Sequence, residues 1–261
     1  MGTIEEHPIH SISWVDLAAK DLEAAGQFYK GLFGWSAFAV PDTDYTMFMV
    51  GESPVAGAME LTPEMGEMPP VWSTYIAVED ADATVADVVE AGGTVMQEPF
   101  DIPDGDRIAV IADPSGAVIC LFEGDRQNGM KVMDENGAPC WFDCATRDTE
   151  AAGAFYSKVF GWTTDHMPEM DYTMFMNNGI PTCGMFALPE EVPAEVPAHW
   201  VVNFVVPDTD QAVAYATENG GMVTMPPMDT PFGRAAGLMD PWGAVLTVID
   251  RSKAAPENQP A

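Results

Sequence analysis

The chain has 261 residues, of which 41 are acidic and 10 basic, for a formal net charge of −31 at pH 7. Such a surface repels phosphate backbones and anionic headgroups, so nucleic acid and membrane are not expected partners. Hydrophobic residues make up 47% of the chain, enough for a packed core, yet no run approaches the ~18 consecutive apolar residues of a membrane span.

The expected elements follow in chain order. Residues 1–10 are acidic and lack the apolar stretch of a secretory signal. Residues 10–17 alternate as a strand. Asp21 is placed to cap a helix in which Leu22, Ala25, Tyr29 and Leu32 recur at helical spacing, and Gly34 stands where a left-handed C-cap belongs. Three short strands are expected over 35–40, 45–50 and 55–61. A second set follows: a strand over 72–78, a helix over 82–91 ended by Gly92-Gly93, and strands over 94–98, 107–112 and 117–122. Asp113-Pro114-Ser115-Gly116 has the chemistry of a type I turn. Cys120, Cys140, Cys144 and Cys183 form no CxxC pattern and read as reduced, buried thiols, which places the chain in the cytoplasm.

The whole pattern then repeats. Trp14-Val15-Asp16 returns as Trp141-Phe142-Asp143, Phe28-Tyr29 as Phe155-Tyr156, and Phe33-Gly34-Trp35 as Phe160-Gly161-Trp162. The run from Asp44 to Met49 returns intact from Asp171 to Met176, and Asp113-Pro114-x-Gly116 as Asp240-Pro241-x-Gly243. These pairs lie 127 positions apart (155 − 28; 240 − 113), with one residue gained and lost again around Gly92 and Gly220. The division is therefore 1–125 for the first domain, 126–137 for a polar linker, 138–251 for the second domain and 252–261 for a frayed tail. Within each domain the elements form two βαβββ modules, which leaves open whether modules pair within a half or across halves.

The order strand–Asp–helix with FYKGLFGW, then ADPSGAVICLF, resembles the vicinal oxygen chelate superfamily of glyoxalase I, bleomycin-resistance proteins and extradiol dioxygenases. With W-x-D on the first strand, YTMF, and R-x5-DPxG, it is most similar to the tandem-domain, actinobacterial-type glyoxalase-like branch, which includes proteins labelled hydroxylase or antigen. The resemblance covers about residues 9–124 and 138–250. It implies an α+β fold: tandem glyoxalase-like domains, each with two βαβββ modules curled into a half-open, eight-stranded cup. It also implies metal ligands on the first, fourth, fifth and eighth strands. Those places hold Trp14, Glu60, Ser73 and Cys120 in the first half, and Trp141, Ala187, Val201 and Thr247 in the second. Neither set resembles two imidazoles and a carboxylate, so no metal site and no cofactor are expected. His7 and His10 are expected to be solvent-exposed at the frayed start of the first strand, and His166 to sit in a loop.

With Val15 and Leu17 packed under a helix, Trp14 and Asp16 face the cup, as do Trp141 and Asp143. Asp16 and Asp143 are candidate acid–base groups, with Arg107 and Arg234 as candidate oxyanion binders. The bland alternative is that these arginines simply neutralise the two carboxylates. Tyr45, Met47, Tyr75 and Cys120, with Tyr172, Met174, Asn203 and His199, complete the candidate ligand-binding lining. The expected partner is a small organic molecule, and the chain a monomer or homodimer. Four functions are consistent with this: metal-independent binding of a small molecule; a lyase or hydroxylase-type enzyme using Asp16/Asp143 and Arg107/Arg234; a metal-dependent lactoylglutathione-lyase type with displaced ligands; and an interaction protein whose cups are plugged by side chains.

Overall fold

A computed structural model describes residues 4–65 and 68–258; the first and last three residues of the expected domain and tail boundaries lie outside it. The first half runs β1 (Ile12–Ala19), α1 (Leu22–Phe33), β2 (Ser36–Ala39), β3 (Tyr45–Val50), β4 (Ser53–Glu60), β5 (Val71–Val78), α2 (Ala81–Glu90), β6 (Thr94–Asp101), β7 (Arg107–Ala112) and β8 (Val118–Glu123). The second half repeats it as β9 (Pro139–Thr146), α3 (Thr149–Phe160), β10 (Thr163–Met167), β11 (Tyr172–Asn177), β12 (Ile180–Ala187), β13 (His199–Val205), α4 (Thr209–Glu218), β14 (Met222–Thr230), β15 (Gly233–Met239) and β16 (Val245–Asp250).

Local chemistry sets the helix ends. Asp21 Oδ1 accepts from Ala24 N at 2.9 Å, and Gly34, at φ 76°, returns its N–H to the Lys30 carbonyl. For α2 the cap is Asp80, two residues before the expected start, because its carboxylate reaches Ala83 N and leaves Asp82 in the first turn. Strand β6 continues past Pro99 to Asp101. It lies at a sheet edge and is bulged, so the missing N–H breaks no inner ladder.

Each half forms its own eight-stranded sheet, ordered β2-β3-β4-β1-β5-β8-β7-β6 and β10-β11-β12-β9-β13-β16-β15-β14. Within a module the first and last strands pair in parallel, Asp16 beside Gly57, and the two modules join through antiparallel β1 and β5, Val15 opposite Thr74. Modules therefore pair within halves.

The helix-bearing faces of the two sheets meet in one shared hydrophobic core. The bonds across it are reciprocal. Trp35 Nε1 donates to the Gly137 carbonyl at 2.6 Å, and Trp162 Nε1 donates to the His10 carbonyl at 2.9 Å. His10 (φ 62°) and Gly137 (φ 82°) occupy equivalent left-handed positions, 127 apart. Tyr29 of α1 donates to Asp240 Oδ2 at 2.9 Å and accepts from Trp72 Nε1 at 3.0 Å. Tyr156 of α3 accepts from Trp200 Nε1 at 2.9 Å and bonds Asp113. Asp240 uses its other oxygen on the backbone N–H groups of Trp242, Gly243 and Ala244, so the DPxG turn of one half is tied to the first helix of the other.

Three expectations are corrected here. His7 is buried, with Nε2 3.0 Å from the Met130 carbonyl and its backbone N–H on the Arg126 carbonyl. The stretch taken as a polar linker carries Met130 fully buried and Val132 and Met133 packed on the core, because it must cover the end of β1. The stretch taken as a frayed tail is tied down through residue 258. Ala254 is buried, Ala255 N bonds the Pro231 carbonyl and Asn258 N the Ala255 carbonyl, while Arg251, just before the stretch, pairs with Asp134 at 2.5 Å.

Because both halves share one core, the chain is expected to unfold in a single transition. Tyr29→Phe strands the buried Trp72 N–H and one oxygen of Asp240, a loss of about 1–3 kcal/mol. Urea unfolding followed by tryptophan fluorescence and by circular dichroism checks both; two separated transitions would refute the shared core.

Candidate functional site

Alternation along β1 puts Val15 and Leu17, both fully buried, on the helix face and turns Trp14 and Asp16 to the opposite, concave face. Strand register then builds two rows across the floor of the first cup. One runs through Phe38, Met47, Gly57, Asp16 and Ser73, the other through Trp14, Tyr75, Cys120 and Val110. The equivalent rows of the second cup are Asp165, Met174, Gly184, Asp143 and Val201, then Trp141, Asn203, Thr247 and Gly237.

A buried carboxylate lies at the centre of each floor. Asp16 Oδ1 accepts from Trp14 Nε1 at 2.8 Å and from the Tyr45 hydroxyl, and the Tyr75 hydroxyl is a third partner. Asp143 accepts from Tyr172 OH at 2.5 Å and from Asn203 Nδ2 at 2.8 Å, with Trp141 bonded to the Tyr172 hydroxyl at 2.6 Å. Burial raises both carboxyls above the ordinary range, and the surrounding hydrogen bonds oppose that shift. Trp14, Tyr45 and Met47, like Trp141, Tyr172 and Met174, remain half-buried. The carboxylate thus holds an indole and a phenol in fixed positions on an accessible wall.

Gly57 and Gly184 make this crossing possible, and the sequence reading missed them. A Cβ on Gly57 would lie 1.7 Å from the Tyr45 hydroxyl and 2.2 Å from Asp16 Oδ1; on Gly184 it would lie 1.6 Å from the Tyr172 hydroxyl. The available signal was a glycine inside an apolar strand run, at the same place in both repeats.

The structure separates other candidates from this group. Arg107 pairs with Asp82 and with Asp101 at 3.1 Å, and Arg234 with Asp210 at 2.8 Å and Asp229 at 2.9 Å. Both sit beside the first turns of α2 and α4 and neither neutralises Asp16 or Asp143, so the expected pairing is corrected. They stand outside the carboxylate groups, because β7 and β15 present these end residues to the second helix of each half. His199, the first residue of β13, bonds the carbonyl of Pro197 in the loop before it at 2.9 Å, and His166 is not in a loop but in β10, bonded to Thr173. Glu60 alternates away from Gly57 and lines a cleft of about 620 Å³ between α1 and β2–β3, with Gln27, Lys30 and Thr46. A related cleft of about 420 Å³ in the second half is lined by Ser157, His166, Asp171 and Thr173.

The residues at the four ligand places do not fit a divalent cation. The Trp14 ring nitrogen donates its proton to Asp16 and has no lone pair to give. Burial and the nearby Asp16 charge push the Cys120 thiol up to about 12, which disfavours the thiolate that a nucleophile needs. Among the described residues no three His, Cys, Asp or Glu side chains converge on one point.

Two variants test this geometry. Gly57→Ala forces Tyr45 off Asp16, with an expected loss of about 1–3 kcal/mol and a changed fluorescence from Trp14. The pH dependence is also set. A carboxyl whose folded value is raised holds its proton where the unfolded chain has lost it, so its contribution to stability falls as pH rises from about 4 through the raised value. Carboxyl-carbon NMR should give midpoints above ~4 for Asp16 and Asp143, and the double Asn variant should lose stability less steeply with rising pH.

Comparison with known proteins agrees with the fold. The profile of the Glyoxalase/Bleomycin resistance protein/Dioxygenase superfamily matches residues 11–121 and 140–248. The chain is 38% identical over 246 residues to the protein named "Putative glyoxylase CFP32" of Mycobacterium bovis, covering 91% of this chain and 93% of that one. It is 34% identical over 261 residues to "Anthracycline biosynthesis protein DauV" of Streptomyces sp., covering 94% of each. Among solved structures, the Mn(II)-bound glyoxalase from Novosphingobium aromaticivorans aligns with a TM-score of 0.62 at 16% identity, over 96% of this chain and 89% of that one.

Proposed function

The chain belongs to the Glyoxalase/Bleomycin resistance protein/Dioxygenase superfamily, and from that premise we propose that it binds a hydrophobic, ring-bearing small organic molecule in its cups without a protein-held metal ion. The observation that carries this is the wall of Trp14, Tyr45 and Met47 held ready over the buried Asp16. Trp14 Nε1 also bonds the Tyr45 hydroxyl at 2.7 Å, so the rings are ordered before a ligand arrives and less conformational entropy is lost on binding. Aromatic and thioether surfaces with a few fixed polar groups suit a flat organic ligand. The relative named for anthracycline biosynthesis supports a polycyclic one.

A proton-transfer enzyme is the second reading, favoured by the raised carboxyl of Asp16. It ranks lower because three donors already occupy that carboxylate and Arg107 is committed to Asp82 and Asp101. The cytoplasmic location expected from the cysteines and the expected monomeric or homodimeric state stay part of the proposal; among the described residues no helix is long and apolar enough to cross a membrane.

Calorimetric titration with a tetracyclic anthraquinone aglycone should show saturable binding. Trp14→Ala should weaken it by about tenfold or more, and prior dialysis against a chelator should leave it unchanged. Loss of binding on chelation would sink the proposal. Turnover of the ligand that disappears in Asp16→Asn would move it to the enzymatic reading.

A further inference from the structure

The charge preferred by the first cup follows from what surrounds Asp16. Its partners are all neutral: an indole and two phenols. Six of the chain's ten basic side chains are engaged elsewhere. Arg107 and Arg234 pair with the acids around α2 and α4, Arg126 with Glu6, Lys158 with Glu90 and Arg251 with Asp134. Arg147 bonds the carbonyls of Val192 and Pro193. An anionic group entering this cup would face a buried carboxylate with no compensating charge, in a setting of low effective dielectric. A cation would face the opposite situation, beside rings whose quadrupoles attract it.

The two cups differ in this respect. The rows of the first contain three aromatic side chains, Phe38, Tyr75 and Trp14, and Tyr45 reaches in beside them. In the second, Asn203 replaces Tyr75 and Asp165 replaces Phe38, leaving Trp141 and Tyr172. The amide of Asn203 spends its hydrogens on Asp143 and on the Trp141 carbonyl.

We propose that the first cup selects a ligand carrying a protonated amine on an aromatic body, with the ammonium seated against the half-buried rings of Trp14 and Tyr45 beside the Asp16 carboxylate. The two carboxylate oxygens offer about four acceptor positions; three are filled by the indole and phenols, and one remains for an ammonium N–H. This inference rests on the binding role proposed above and adds the charge class of the ligand.

The test is calorimetric titration of the full chain with three probes on one skeleton: anthracene-methylamine, anthracene-methanol and anthracene-carboxylate. The amine should bind about tenfold more tightly than the alcohol, and the carboxylate most weakly. In Asp16→Asn the ratio of amine to alcohol affinity should fall toward one. Trp14→Leu, which keeps the carboxylate and removes one of the two rings that seat the ammonium, should lower that ratio by about threefold and serves if Asp16→Asn does not fold. Carboxylate binding as tight as the amine overturns the charge assignment. So does an amine preference that survives in both variants, since the acidic surface would then be its source. Either leaves the binding role standing, whereas saturable binding by none of the three removes both.

Discussion

The hydroxyl of Tyr29, 2.9 Å from Asp240 in the opposite half, shows the constraint on which the rest of the structure depends. Each sheet has a helix face that must be buried, and the two sheets bury those faces against each other. Tyr29 and Tyr156 carry the bonds across, each to the aspartate that folds the other half's last turn. One oxygen of that aspartate holds the turn and the other holds the helix, so turn geometry and domain packing are coupled. Trp35, Trp72 and Phe204 pack into the same seam, with ring centroids 5.2–6.1 Å apart.

With the helix faces committed to each other, the concave faces are the surfaces left free to differ. There the repeat keeps a carboxylate, an indole, a phenol and a glycine: Asp16, Trp14, Tyr45 and Gly57, then Asp143, Trp141, Tyr172 and Gly184. The glycine removes the side chain that would occupy the space of the phenol, and the phenol fills that space to reach the acid. The third partner is where the halves part, Tyr75 in one and Asn203 in the other. A duplicated frame therefore holds two surfaces of unequal aromatic character.

Much of this was legible in one dimension. Capping chemistry at Asp21 and Gly34, alternation in β1, β3 and β7, and the 127-residue offset specify the elements and the duplication, because each depends only on neighbours within a turn or a strand. The inward faces of Trp14, Asp16, Tyr45 and Met47 follow from the same alternation. Pairing of modules within each half, the burial of His7 under Met130, and the tying of Arg251 to Asp134 were not legible, because they join residues more than a hundred positions apart or depend on strand register. The arginines are the clearest case. Arg107 and Arg234 stand out by composition and by repeat, yet which carboxylate each meets depends on whether α2 and α4 or β1 and β9 lie nearer, a matter of packing alone. The sequence by itself determined the duplicated α+β units and the residues on each strand face, since alternation and capping are local. Only the tertiary structure decided that two sheets share one core and that each carboxylate holds an aromatic wall, since both require distant strands brought to within hydrogen-bond reach.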